Sequence, residues 1–192
     1  AADHVISHFG QIDLLINNAG LSQRSLCKDT DLSVYQTLLD VDVMGQIALT
    51  KAVLPHMLER QSGHLAVTAS VAGKVGVPLR TGYCAAKHAV MGFFDALRAE
   101  VEDDGILVST ITPGFIRTDI SRNALAADGS AFGEEDENIA GGMDVGECAD
   151  VIVSALAKGK REIPVGKGKD MAALWVKRVA PEMMFKLARK QN

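Results

Sequence analysis

Three short apolar runs, set between long helical patterns, constrain what this chain can fold into more than any other feature. Residues 13–17 (DLLIN), 65–69 (LAVTA) and 106–112 (ILVSTIT) are continuously apolar or small, without the in–out alternation of a half-exposed strand. Such runs suit strands covered on both faces, as in a parallel sheet. The segments between them have helical spacing. In residues 32–59 the apolar positions are Val34, Leu38, Val41, Ile47 and Leu54; in 81–103 they are Ala86, Val90, Phe93, Phe94, Leu97 and Val101. Connections of that length join parallel neighbours, which antiparallel hairpins do not need. Strands alternating with such helices predict an α/β fold with a doubly wound parallel sheet.

The punctuation agrees. Gly10 closes a helical pattern over residues 1–9, with Ala1, Val5 and Phe9 at helical spacing. Asn18-Ala19-Gly20 turns the chain after the first strand, Asp104-Gly105 stops the second long helix, and Pro113-Gly114 breaks the third strand. Pro55 is expected to bend the first long helix or to begin a new turn near its end. Residues 119–143 hold four of the eighteen glycines and the acidic run Glu134-Glu135-Asp136-Glu137. They read as a mobile segment, a candidate substrate lid with the acidic run as solvated loop. Helix returns over 145–158, residues 162–165 suit a last strand, and 169–190 read as an amphipathic tail broken at Pro181. Trp175, Met183, Met184 and Phe185 on that tail stand exposed unless they pack. With no internal repeat and no linker, residues 1–192 form one domain. The pattern opens inside a helix, which suggests a fragment.

Bulk properties remove several function classes. A net charge of -4 leaves no basic surplus to neutralise phosphates, which argues against nucleic-acid binding. No stretch approaches the length of a membrane span, which argues against a membrane role. Cys27, Cys84 and Cys148 are odd in number and widely spaced, as reduced thiols of a cytoplasmic protein would be. His4 and His8 pair at i, i+4 but read as a surface pair, so no metal site is expected.

The chemistry concentrates between Gly63 and Lys87. Ser70 lies where the second strand ends, and Tyr83 and Lys87 share one face of the helix that follows. A phenol left alone titrates near pH 10, and a fixed positive charge beside it lowers that value. A tyrosine so placed can exchange a proton nearer neutrality. Taken singly, each feature has a bland reading, because many helices carry Tyr and Lys four apart by chance and a serine often ends a strand.

Together the motifs resemble the short-chain dehydrogenases/reductases: Asn17-Asn18-Ala19-Gly20 after a strand, Ser70 thirteen positions before Tyr83, Tyr83-Cys84-Ala85-Ala86-Lys87, and Pro113-Gly114-Phe115-Ile116-Arg117-Thr118 after the next strand. The resemblance covers nearly the whole chain. It implies the C-terminal part of a Rossmann-like sheet and an NAD(P)-dependent oxidoreductase interconverting a ketone and a secondary alcohol. Tyr83 would be the general acid/base and a cofactor-binding residue, Lys87 would assist the phenol and hold the nicotinamide ribose, and Ser70 would hydrogen-bond the substrate oxygen. Asn17, Ala19 and Gly20 would line the adenosine side of the cofactor; Pro113, Gly114, Ile116 and Thr118 would bracket its nicotinamide. NADP is preferred over NAD, the substrate is a small molecule, and homo-oligomers would form through helices 32–59 and 81–103.

Two positions depart from the family pattern. Asp42, in Asp42-Val43-Met44-Gly45, stands where the family has the Asn of its catalytic set. A backbone carbonyl there could still hold a proton-relaying water, or the carboxylate could pair with Lys87 and weaken its action on Tyr83. The glycine-rich TGxxxGxG turn that seats the cofactor pyrophosphate is absent, so the first strands are expected to be missing and residues 13–17 to leave a bare apolar edge. The alternative function is therefore a non-catalytic binding or dimerisation module of the same fold.

Overall fold

A computed structural model of the protein describes residues 2–189. Ala1 and Lys190, the outer ends of the two terminal helical patterns, lie outside the described residues. Among the described residues four strands, β1 (Leu14–Asn17), β2 (Gly63–Thr68), β3 (Ile106–Pro113) and β4 (Glu162–Val165), pair in chain order. Every pairing is parallel, with Ile16 opposite Ala66, Ala66 opposite Ser109 and Thr110 opposite Glu162. Among the described residues eight α-helices accompany them: α1 (Ala2–Phe9), α2 (Leu32–Leu39), α3 (Gly45–Arg60), α4 (Thr81–Val101), α5 (Glu137–Ala140), α6 (Val145–Ala157), α7 (Lys169–Val179) and α8 (Pro181–Ala188).

The sheet is covered on both faces, as its continuous apolar strands require. Leu65 and Val67 of β2, with Ile106 and Val108 of β3, pack against Val53 and Met57 of α3 and Val90, Phe94 and Leu97 of α4. Ala66, Ile111, Ile163 and Val165 belong to a second cluster, closed by Cys148 and Leu156 of α6. Arg98 of α4 fastens the first layer to the sheet, donating from Nε to the Val108 carbonyl (3.0 Å) and from Nη2 to Thr110 Oγ1 (3.0 Å) and Glu162 (3.3 Å). At the other edge β1 pairs on one side only among the described residues, and Leu14 and Ile16 remain 42% and 43% exposed. That is the bare edge expected from the sequence.

The first long helical pattern departs from its expected course. α3 runs through Pro55 to Arg60, and the interruption comes earlier, as a π turn over Asp40–Met44. One extra residue in that turn rotates the helix face. It brings Asp42 (0% exposed) into the interior, and Gln46 is buried one turn later. The second long pattern ends as α4 at Val101, with a tight turn over Glu102–Asp104 beyond it. Gly105 follows with φ +73°, and a Cβ there would meet the Gln61 carbonyl oxygen at 2.5 Å, so only glycine serves.

The acidic run is not all solvated loop. Asp136 is 6% exposed, caps α5 by accepting from the Asn138 and Ile139 N–H groups, and pairs with Arg24 (2.8 Å) and Arg80 (3.0 Å). Two guanidiniums on other segments decide its burial, which no local pattern announces. Further ties hold residues 119–143 to the body: the Leu125 N–H donates to the Ser22 carbonyl (2.8 Å), and Leu125 accepts from the Arg24 N–H (2.8 Å).

Burial opposes ionisation of Asp136, but the two arginines prevail and hold its carboxyl below the usual value. A group depressed in this way stabilises the fold above its ordinary range, and that contribution is lost as pH falls through the folded value. Asp136→Asn should therefore cost about 3 kcal/mol at neutral pH. In urea titrations the gap from wild type should narrow as pH falls below about 4.

Candidate active site

The cleft lies where the carboxyl ends of β2 and β3 part. It encloses about 630 Å³ and is lined by Ser70, Tyr83 and Lys87, with Asn18 and Gly20 after β1, Pro113 at the end of β3, and residues 114–116 and Thr118 beyond it. In a parallel sheet the loops at the carboxyl ends diverge, and ligands of open α/β sheets bind there.

Each candidate side chain is held by local structure. Ser70 is extended (φ -173°) and starts a tight turn over Val71–Gly73, its Oγ accepting the Ala72 N–H at 3.1 Å. Tyr83 sits in the first turn of α4 and is 8% exposed. Lys87 lies one turn on, with Nζ 5.7 Å from the Tyr83 ring centroid. That Nζ donates to the Thr68 carbonyl (3.1 Å) and lies 3.3 Å from Asp42 Oδ2. Burial raises the Asp42 carboxyl above its ordinary value, against the pull of Lys87 and of the Leu21 N–H, which donates to Oδ1 at 2.7 Å. Burial likewise raises the Cys84 thiol, which suits a small core group rather than a nucleophile.

The start of α4 is itself buttressed from α2 and the loop before it. The Gly82 N–H donates to Gln23 Oε1 (2.7 Å), Gln23 has no exposed surface, and the Tyr35 and Thr81 hydroxyls bond at 2.9 Å. Just upstream, Leu79 adopts φ +64°, a strained conformation for a branched side chain, and its carbonyl accepts the Ser25 N–H at 3.0 Å.

Not every expected residue reaches the cleft. Asn17 is 3% exposed and its amide donates to Thr50 Oγ1 (3.0 Å), while the Ala19 carbonyl accepts from Gln46 Nε2 (2.9 Å); both shape the turn from behind. Asn18 lines the cleft instead, its Oδ1 accepting from Thr68 Oγ1 at 2.9 Å. Strand alternation is the signal that separates these two asparagines, since Asn17 is the last inward position of β1. Arg80, Phe115 and Asp170 also line the cleft and were not expected. Asp170, at the start of α7, accepts the Phe115 N–H at 2.8 Å and so joins the C-terminal tail to the Pro113-Gly114 turn. A Cβ on Gly114 would sit 1.7 Å from Asp170 Oδ2. Among the described residues, no group of three or more His, Cys, Asp or Glu could hold a metal ion.

Comparison with known proteins agrees with this architecture. A family model described as short chain dehydrogenase matches residues 1–129. The dehydrogenase/reductase SDR family member 7B of Rattus norvegicus is 40% identical over 196 aligned residues, covering 100% of this chain and 60% of that protein. The chain thus spans about 60% of the length of the curated relatives that head the comparison. A short-chain dehydrogenase from Streptomyces avermitilis superposes with a TM-score of 0.77 at 27% identity, covering 100% of this chain and 76% of that one. A gluconate 5-dehydrogenase from Burkholderia cenocepacia, solved with NADP and tartrate, gives a TM-score of 0.62 at 29% identity over 64% of this chain and 48% of its own.

The contact between Gly114 and Asp170 makes a specific demand. Gly114→Ala should destabilise the protein by about 1–3 kcal/mol through overpacking. In the Asp170→Ala background the same change should cost much less, because the atom it strikes is gone. A double-mutant cycle of urea midpoints measures the difference.

Proposed function

The chain belongs to the short-chain dehydrogenase family, and from that premise we propose that the protein interconverts a ketone and a secondary alcohol with a nicotinamide dinucleotide. The observation that carries this reading is the convergence of Ser70, Tyr83 and Lys87 on one cleft at the carboxyl ends of parallel strands. The groups around the cleft fit the nicotinamide end of such a cofactor. Lys87 offers an ammonium, Asn18 and Thr68 offer polar side chains, and the Pro113-Gly114 turn lines the cleft beside them. The glycine-rich turn that would seat the pyrophosphate is not in the sequence.

When bound, the dinucleotide supplies or accepts the hydride. Ser70 Oγ donates to the substrate oxygen and steadies the charge that develops there. Tyr83 delivers the proton in the reductive direction and removes it in the oxidative one. Lys87 holds the nicotinamide ribose and acts on the phenol. Gly20, Pro113, Gly114, Ile116 and Thr118 bracket the cofactor, with Asn17 and Ala19 supporting from behind. Residues 119–143 close over the substrate, a role supported by Ile120, Ser121, Asn123 and Ile139 along the cleft. NADP is preferred, in keeping with the Burkholderia cenocepacia enzyme solved with it. The three free cysteines suit a reducing compartment such as the cytoplasm. No helix among the described residues is long and apolar enough to cross a membrane.

A second reading is a dimerisation module built on α2, α3 and α4. Leu32 (83% exposed) and Met44 (56%) favour it, as apolar side chains left on α2 and on the π turn that follows it. Fluorescence titration of NADPH and NADH separates the readings, using this chain and a longer one that carries a glycine-rich turn. Dinucleotide binding is expected at least in the longer chain, and its absence from both would favour the module. In the chain that binds, Tyr83→Phe should lower kcat by a factor of about 10²–10⁴ while dinucleotide affinity holds. Near-normal turnover would exclude Tyr83 as the acid/base.

A further inference from the structure

Lys87 lies one turn from Tyr83 on α4, with Nζ 5.7 Å from the ring centroid, yet its charge is already engaged. Nζ lies 3.3 Å from Asp42 Oδ2, and the two side chains are 4% and 0% exposed. Oδ2 has no aligned hydrogen-bond partner among the described residues, so the contact with Lys87 is an ion pair held by charge rather than by bond direction. Three elements converge to make it: the π turn delivers Asp42, α4 delivers Lys87, and the turn after β1 closes over both. A Cβ at Gly20 would lie 3.1 Å from Nζ and 3.3 Å from Asp42 Oδ1, so a side chain there would crowd the pair.

Other charged groups stand near the phenol. Arg80, just before α4, shares Asp136 with Arg24, so those three groups together keep one positive charge, which Asp42 does not touch. Cys84 beside Tyr83 carries a thiol that burial pushes up, keeping it neutral. His88 Nδ1 contacts the Cys84 carbonyl at 2.8 Å. Asp170 faces the cleft from α7 and accepts the Phe115 N–H, and Asp119 stands at the cleft's exposed rim.

We infer that Asp42 is a positioning residue that governs Lys87, so that Tyr83 faces a nearly neutral ion pair in place of a lone ammonium. A lone ammonium favours the phenolate. A carboxylate 3.3 Å from that ammonium cancels most of its potential beyond the pair, and in a site shielded from water such terms weigh heavily. The sign follows from protonation. Above the folded value of Asp42 the carboxylate is charged and Lys87 is compensated; below it the carboxyl is neutral and Lys87 acts alone. The consequence for turnover rests on the reductase reading, while the pairing itself does not.

The two tyrosines, Tyr35 and Tyr83, make a direct test possible. In a Tyr35→Phe protein the ultraviolet absorbance of tyrosinate reports Tyr83 alone. Asp42→Asn should lower the midpoint of that titration by about one pH unit. In the alcohol-oxidising direction the rise of kcat/KM with pH should move with it, making the variant about tenfold faster on the acid limb. Asp42→Ser, neutral and smaller, gives the same test if the amide is poorly accommodated. With Lys87→Met in place the buried Asp42 has no counter-ion and takes up a proton, so the Asp42→Asn shift should nearly vanish. An unmoved or raised midpoint in Asp42→Asn overturns the inference, and so does a full shift that survives without Lys87. A lowered midpoint in a protein without turnover supports the governed pair and counts against the reductase reading instead.

Discussion

Leu65, Ala66 and Val67 have no exposed surface, and a strand covered so completely cannot carry polar chemistry along its length. Its ladder bonds satisfy its own peptide groups, and both faces belong to the core. Polar function is confined to the carboxyl ends, where the loops part and backbone groups run out of neighbours. The Thr68 carbonyl at the end of β2 illustrates the point, since it accepts from Lys87. Ser70 stands just beyond, and the turns after β1 and β3 open onto the same place. The cleft is thus a consequence of burying the strands, and the helices that bury them supply its charged groups.

Those charged groups show how a largely apolar site accommodates ions. Lys87 is matched with Asp42, and Arg80 with Asp136, each pair joining segments far apart in sequence. Removing one partner of such a pair leaves an uncompensated buried charge, at a cost well above that of a surface contact. The pairs therefore act as stitches as well as electrostatic elements. One fixes the π turn against α4, and the other fixes residues 119–143 against the start of α4. The same helix end receives both, which is why Tyr83 has so little freedom.

Much of this was legible in the chain. Continuous apolar runs read as buried strands because nothing else tolerates them in a domain of this size, and the spacing from Ser70 to Tyr83 to Lys87 survives as neighbours around one cleft. What stayed hidden depended on long-range partners. Asp136 sits in a run of four acidic residues, and only Arg24 and Arg80, over fifty residues away, make it an interior group. The π turn leaves no local mark, because an extra residue in a helix changes the phase of later side chains without altering composition. Pro55 is a strong local signal that the tertiary packing of α3 overrides. The exchange of roles between Asn17 and Asn18 depends on which strand face each occupies, and a one-residue register decides it.

Arg98 completes the picture from the far end of α4. Its guanidinium reaches β3 and β4 at once, so the C-terminal half of that helix is clamped to the sheet. Tyr83 lies fifteen residues back along the same helix, about 22 Å at the usual rise per residue. A clamp at one end of a rigid rod is a pivot for the other. A tilt of about 3° at Arg98 would swing the phenol by roughly 1 Å, a displacement on the scale at which positioned proton donors lose their advantage. The accuracy of the cleft is therefore set partly by a side chain that never touches it, at the opposite end of a lever.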